Sequence, residues 1–253
     1  MNVKQKVILC LLALISVSMH AKSIDDKKSY LWNIDGGTLY QQPHLSAQIV
    51  ATISYGDALQ ILEILPNHSV DVKVFANEDE NLTTNEYLDE IVLKANWLKV
   101  TNGVEIGYMP DAFLVPLPPP EFSEDSQFIN LDYLRSLSEV VARKAEKQND
   151  AFCDRLSLEF ANKMRYTYTD FGPCEQCGHS QENIFFPKLN ETNGLIIALT
   201  FFRLQEFDMN KNVNLKREMA GWEIEGSLEY GQIQQMRISV QASGLLISID
   251  YYM

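Results

Sequence analysis

The second half of the chain holds the residue types with the clearest chemical potential, three cysteines and a histidine. Cys174 and Cys177 form a CxxC pair, His179 follows two residues later, and Cys153 lies upstream. Three chemistries are open to such a set: a disulfide that staples a loop, a redox-active dithiol, or a zinc site with all four side chains as ligands. A redox pair needs the strand–CxxC–helix order that activates a thiolate, and the flanking sequence does not show that order. Covalent haem attachment is excluded because Gly178 separates the second cysteine from the histidine.

A disulfide is the chemistry that we predict for these cysteines. Three thiols in an exported protein leave one bond and one unpaired thiol. A bond from Cys153 to either Cys174 or Cys177 would close a loop of a little over 20 residues, which stabilises a fold by roughly 3 kcal/mol. A bond within the CxxC pair would close too short a loop to stabilise the fold in this way. We predict no bound metal and no cofactor.

Catalytic groups are sparse in the chain. Apart from His20 near the N-terminus, the histidines are His44, His68 and His179, and only the last lies in the same half as the cysteines. Cys153 lies in a stretch with helical spacing and lacks the setting of a nucleophile. Glycine-rich phosphate loops and serine-nucleophile elbows are absent from the sequence. No catalytic residue is therefore predicted, although 34 acidic residues leave a carboxylate-only hydrolase open.

The N-terminus has the pattern of a secretory signal peptide. Lys4 and Lys6 precede an apolar run from Val7 to Val17, and Ala21 offers a small residue at a cleavage point. Cleavage would remove residues 1–21 and leave 19 basic against 34 acidic residues, a net charge of −15. This charge excludes nucleic acid as a default partner, because phosphate binding needs a basic surface. We therefore predict a periplasmic or secreted protein with no membrane span after cleavage.

A proline-rich run divides the rest of the chain into two predicted domains. The run from Pro116 to Pro120 predicts a stiff linker, because proline fixes φ and favours an extended chain. We therefore expect a first domain over residues 30–116, a linker over 117–127 and a second domain over 128–253. In the second domain, apolar residues at helical spacing predict one or two helices over 130–164, and residues 170–194 are expected to form a polar loop. Strands are predicted over 195–204, 222–230, 233–241 and 245–252, which gives a helical layer packed on an antiparallel sheet.

The first half has the composition of a small β-barrel. Short β-rich runs are separated by turn residues, with Pro43 in one turn and a tight reversal at Gly56-Asp57. The expected barrel core is formed by Leu39, Ile49, Val50, Ile53, Leu59, Ile61 and Leu98.

Four motifs in this half occur in the order found in bacterial SH3-like (SH3b) domains. A strand from Leu39 leads into the Pro43 turn, Tyr55-Gly56-Asp57 follows, and then come Trp97-Leu98-Lys99-Val100 and Gly107-Tyr108-Met109. The first half thus resembles an SH3b domain over about a third of the chain. This resemblance implies a small SH3-like barrel that holds a peptide or cell-wall material, and it favours a bacterial origin.

Three aromatic residues are the candidate ligand-binding residues of this barrel. Tyr40, Trp97 and Tyr108 are large amphipathic side chains near strand ends, which can pack and still offer a polar edge to a ligand. The alternative is that they serve only as barrel core and rim. Two departures from the family weaken any copied specificity: Tyr40-Gln41-Gln42 replaces a strand end that usually contains arginine, and an acidic insertion spans about Asn67–Lys94.

These observations favour a binding protein over an enzyme. The leading hypothesis is an exported binding or adaptor protein whose partner is a peptide, peptidoglycan or an envelope protein. One alternative is an inhibitor, of the immunity type, of a secreted basic toxin, which the acidity would suit. The other is a thiol-redox or zinc protein centred on the CxxC loop.

Overall fold

The computed structural model describes residues 28–76, 90–121, 131–148, 153–173, 178–201, 213–218, 221–226 and 233–252. The predicted signal peptide lies outside these ranges. Within them, most residues belong to strands of two antiparallel sheets, and two short helices accompany the second sheet. Neither of these described helices has the length and apolar content that a membrane crossing requires.

The first sheet has seven strands in the order β3-β2-β6-β5-β4-β1-β7, with antiparallel pairing throughout. The strands are β1 (Lys28–Leu31), β2 (Gly37–Tyr40), β3 (Ile49–Ile53), β4 (Ala58–Ala76), β5 (Glu90–Thr101), β6 (Ile106–Pro110) and β7 (Leu114–Val115).

All seven strands contribute to one small buried cluster, so the sheet curls around it as a half-barrel. Its members are Leu31, Leu39, Ile53, Leu59, Leu98, Val100, Met109 and Leu114. Four of the seven predicted core residues are buried here, and Val50 and Ile61 pack at the edge. The prediction was wrong for Ile49, which is 59% exposed. A register shift between Leu39 and Tyr40 pairs Ile49 with Tyr40 and turns it to the outer face.

The described residues of the predicted acidic insertion belong to two long paired strands, which we call the long hairpin. Strands β4 and β5 run far past the small cluster, and their pairing continues from Gln60 opposite Thr101 to Ala76 opposite Glu90. At the far end Val74, Phe75 and Ile91 are buried. The hairpin thus carries core residues away from the half-barrel towards the second half of the chain.

The second sheet has eight strands in the order β12-β13-β14-β15-β11-β10-β9-β8. The strands are β8 (Val140–Gln148), β9 (Cys153–Phe160), β10 (Arg165–Pro173), β11 (Gly178–Pro187), β12 (Val213–Glu218), β13 (Gly221–Gly226), β14 (Ile233–Gln241) and β15 (Gly244–Tyr252). Helix α1 (Leu131–Leu137) precedes this sheet, and helix α2 (Glu191–Phe201) follows β11. The predicted strand over 233–241 is confirmed, and those over 222–230 and 245–252 are confirmed within the described residues.

The helices predicted over 130–164 were wrong beyond α1. Most of the described residues after α1 in this region form β8 and β9, which pair antiparallel. Leu156, Leu158 and Phe160 have a spacing of two, and the last two are buried against the sheet's core. Pairing with neighbouring strands decided between two periodicities that the same residues could satisfy. The predicted loop over 170–194 was also wrong, because β10 and β11 occupy much of it.

The strand predicted over 195–204 is helix α2 as far as Phe201. Residues 195–200 are all fully buried, and a continuous apolar run does not distinguish a buried helix from a buried strand. The helix start is decided by a reciprocal cap: the Asn190 side chain accepts a bond from the Asn193 backbone at 2.9 Å, and Asn193 Oδ1 accepts one from the Asn190 backbone. Gly194 lets α2 approach the sheet, because a Cβ there would overlap Leu245 and Ile238.

The larger core contains residues from both halves of the chain. Trp32 and the far end of the long hairpin belong to the same buried cluster as α2 and the second sheet. The proline run is held in place by hydrogen bonds: Trp32 Nε1 donates to Leu117 O at 2.7 Å, Tyr133 Oη to Pro118 O at 2.9 Å and Tyr55 Oη to Pro120 O at 3.0 Å. Contacts therefore cross the predicted boundary at residues 117–127, while independent folding of residues 30–116 stays a prediction.

Candidate functional site

The three predicted ligand-binding aromatics lie together on the outer face of the first sheet. On β5, Leu98 and Val100 point into the half-barrel cluster. Because side chains alternate along a strand, Trp97 points to the outer face. Its side chain is nonetheless only 2% exposed. The Tyr40 ring meets it edge-on, with centroids 5.7 Å apart and planes at 80°. Trp97 is thus packed beneath Tyr40 and is not an open ligand contact.

Tyr40 and Tyr108 form the accessible part of this group. They are direct partners across β2 and β6, and both are half-buried. Strand pairing continues the row to Ile49 on one side and to Lys99 and Glu63 on the other. The Lys99 ammonium lies 5.9 Å from the centre of the Tyr108 ring, within the range of a cation–π contact. We call these five residues the tyrosine row.

The cysteines are only partly described. Cys153 begins β9 as the partner of Gln148, whereas Cys174 and Cys177 lie outside the described residues. The predicted disulfide therefore stays a prediction. Within the described ranges, no group of three potential metal-binding side chains occurs.

His179 lies in a polar network that was not predicted from the sequence. Its Nε2 is 3.2 Å from Asp250 Oδ1, and Asp250 is only 4% exposed. The same Asp250 oxygen accepts a hydrogen bond from Gln181 Nε2 at 2.9 Å. Asn183 Nδ2 donates to Gln181 Oε1 at 3.0 Å, and Ser248 Oγ donates to Asn183 Oδ1 at 2.7 Å. Residues of β11 and β15 thus form a continuous chain of side-chain hydrogen bonds on one face of the sheet.

A half-buried carboxyl group lies on the other face of β11. Glu182 accepts hydrogen bonds from Tyr166 Oη at 2.9 Å and from Tyr251 Oη at 3.2 Å. Burial raises the pKa of Glu182 above its usual range, although the two tyrosine hydroxyls oppose this. Burial also raises the pKa of both tyrosines. The arrangement satisfies a polar group inside an apolar face and stabilises the sheet locally.

The alternation of side chains along a strand was the signal that could have revealed the His179 network and the Glu182 carboxyl group. Along residues 179–184, polar side chains of one face alternate with Ser180, Glu182 and Ile184 of the other. The segment was predicted to be a loop, and a loop has no two faces to which these side chains could be assigned.

A scan of protein-family models, a search of curated proteins and a search of solved structures found no match to this chain. The functional proposals below therefore depend on the residues of the chain itself.

Proposed function

We propose that this chain is an exported bacterial binding or adaptor protein whose first sheet holds a peptide or a cell-wall component. The tyrosine row is the single observation that carries the proposal, because it brings two of the predicted ligand-binding residues side by side. Export is supported by the signal-like N-terminus and by the acidic composition of the remaining chain.

The tyrosine row combines the groups that such a ligand requires. Tyr40 and Tyr108 offer apolar ring area together with hydroxyl groups, at a low entropic cost because each has few rotatable bonds. Lys99 supplies a positive charge beside Tyr108, suited to a ligand carboxylate. Ile49 is exposed at the other end of the row and extends the apolar area.

Trp97 has a supporting role in this proposal. Because its ring is buried under Tyr40, it fixes the position of the Tyr40 ring and does not contact the ligand itself. An edge-to-face pair of this kind contributes about 0.5–1.5 kcal/mol beyond the area that it buries. The half-exposed tyrosines, and not the tryptophan, are therefore the residues to test for binding.

A titration of the full mature chain with a soluble peptidoglycan stem peptide tests this proposal. Tyr40→Ala and Tyr108→Ala should each weaken binding about tenfold or more, as expected for tyrosines at the centre of an interface. Phe171→Ala on the second sheet is the matched control, because it also removes an exposed aromatic ring. The proposal would be contradicted if the wild-type chain did not bind the peptide, or if both tyrosine variants bound it as tightly as the wild-type chain does.

A pull-down from the cell envelope distinguishes the adaptor from the toxin inhibitor. The strong acidity of the chain supports the inhibitor as the second candidate. Capture of a basic protein in a complex that dissociates with added salt would favour the inhibitor, whereas retention on insoluble cell-wall material would favour the binding protein.

A further inference from the structure

One face of the second sheet carries two rows of polar side chains across five neighbouring strands. Strand pairing aligns Glu146, Arg155, Thr169, Gln181 and Asp250 in the first row. It aligns Lys144, Ser157, Thr167, Asn183 and Ser248 in the second row. Neighbouring strands lie about 4.8 Å apart, so each row spans about 19 Å. We call this surface the polar face.

The polar face contains a cavity and a buried carboxylate, which an ordinary solvated sheet surface would lack. It contains a cavity of about 460 Å³, which is lined in part by Arg155, Thr167, Thr169, Phe171 and Asn183. Asp250 lies on the same face and is nearly fully buried. A flat solvated surface would leave such a carboxylate open to water, whereas here the His179 and Gln181 side chains lie against Asp250 and help to cover it.

Hydrogen bonds fix the orientation of the amide groups at this site. Gln181 uses one N–H for Asp250, and Asn183 uses one N–H for Gln181. Ser248 holds the Asn183 oxygen. Each amide keeps a second N–H beyond these bonds, and a ligand that binds there loses little side-chain entropy because the amides are already oriented.

An exposed aromatic ring lies beside these polar groups. Phe171 lines the cavity and is 46% exposed. Its ring is stacked on that of His179, with centroids 4.7 Å apart and planes at 8°. The stack holds the Phe171 ring in place, so that one apolar surface stands next to rows of hydroxyl, amide and guanidinium groups.

We propose that the polar face binds a neutral oligosaccharide. Sugar rings carry many hydroxyl groups, which the amides and threonines can bond, and apolar C–H surfaces, which can pack on Phe171. The charges in the two rows of the polar face sum to zero, because Glu146 pairs with Lys144 and the Arg155 guanidinium offsets the Asp250 carboxylate, which favours a ligand without net charge. The length of the two rows suits several linked sugar units and exceeds what a single sugar can fill.

Calorimetric titration of the full mature chain with three tetrasaccharides tests this inference: cellotetraose, maltotetraose and the N-acetylglucosamine tetramer. At least one should bind. Phe171→Ala should weaken its binding about fivefold to tenfold through loss of the apolar surface. Thr169→Val, which removes a hydroxyl at nearly constant shape, should weaken it about threefold to tenfold. Thr52→Val makes the same change at an exposed strand position of the first sheet and should leave binding unaltered.

Melting temperatures establish that each variant is folded. If Thr169→Val is not folded, Thr167→Val takes its place. Three outcomes would overturn the inference. They are no binding of any tetrasaccharide at millimolar concentration, binding of polygalacturonate but of no neutral chain, and unchanged affinity in both Phe171→Ala and the threonine variants.

The site is independent of the proposed function on the first sheet. Tyr40→Ala should weaken stem-peptide binding and leave tetrasaccharide binding intact, whereas Phe171→Ala should weaken tetrasaccharide binding and leave stem-peptide binding intact. If one ligand fails to bind and the other binds, only the corresponding proposal is wrong.

Discussion

Replacement of Trp32 should destabilise both halves of the chain together. Trp32 follows β1, is fully buried and belongs to the core cluster that contains α2 and the second sheet. Its indole N–H donates to Leu117 O at 2.7 Å, and its own carbonyl lies 3.4 Å from Thr200 Oγ1 of α2. One residue thus joins the first sheet, the proline run and the buried helix.

The expected loss follows from these contacts. Trp32→Ala should lower the free energy of unfolding by about 3–5 kcal/mol, the usual cost of removing a buried tryptophan. Trp32→Phe keeps a ring but leaves Leu117 O without its donor, which costs about 1–3 kcal/mol. For a chain of this size each kcal/mol lowers the melting temperature by about 2–4 °C, so the alanine variant should melt about 6–20 °C lower.

The other two tryptophans allow each half to be followed separately. The chain has three tryptophans, and Trp97 lies in the first sheet while Trp222 lies in the second. In a Trp32→Phe background, Trp222→Phe leaves a reporter of the first sheet, and Trp97→Phe leaves a reporter of the second. If the two halves share one core, the urea midpoint reported by Trp97 in one double variant should equal that reported by Trp222 in the other. The comparison is made after correction for any difference in the calorimetric stability of the two variants.

Two separate transitions would refute this reasoning. If Trp32→Ala shifted only the transition reported by Trp97, the second sheet would be stable without the first. Residues 30–116 would then form an independent domain, as the proline run had predicted, and the shared cluster would be a weak interface between domains.

Four further results are expected. Intact-mass analysis of the periplasmic protein should give an N-terminus near Lys22, and full-length protein in the cytoplasm would contradict export. The oxidised protein should show one reactive thiol after denaturation, and Cys153→Ser should cost roughly 3 kcal/mol in chemical unfolding, whereas three thiols with stoichiometric zinc would favour the metal site. Trp97→Ala should cost about 3–5 kcal/mol in the same assay, because the ring is buried, and a loss below 1 kcal/mol would be inconsistent with its packing. Burial raises the pKa of Glu182, so its carboxyl binds a proton more readily in the folded state. The wild-type stability should therefore fall as the pH rises through that raised pKa, and Glu182→Gln should remove this part of the pH dependence in unfolding measured from about pH 4 to pH 8.

Turn chemistry and short alternating runs were sufficient to predict much of the first sheet. Gly56 has a positive φ of 82°, which supports the predicted tight reversal between β3 and β4. The inward positions of Leu39, Ile53 and Leu59 follow from alternation alone. Alternation failed at Ile49, because a local bulge changed the face without leaving a mark in the sequence.

The candidate site was predictable only where it lies in the first sheet. Tyr40, Trp97 and Tyr108 could be named as candidates from motifs near strand ends, whereas the direct pairing of Tyr40 with Tyr108 is a finding of the structure. Gln181 and Asp250 are 69 residues apart, and only the pairing of β11 with β15 brings their side chains within 2.9 Å. No local pattern in a single sequence encodes which strands pair over that distance.

The sequence by itself determined the signal-like start, the acidic charge, the turns of the first sheet and the final meander, because each depends on neighbouring residues or on composition. The tertiary structure decided the rest. Residues 140–148 and 153–160 lie in a stretch with helical spacing, and only the neighbouring strands make them strands. Residues 195–199 are an unbroken apolar run, and only their asparagine cap and the sheet beneath make them a helix. Local preferences amount to a fraction of a kcal/mol per residue, whereas burial of each large apolar side chain contributes about 1.5–3 kcal/mol, so packing between distant segments prevails where the two disagree.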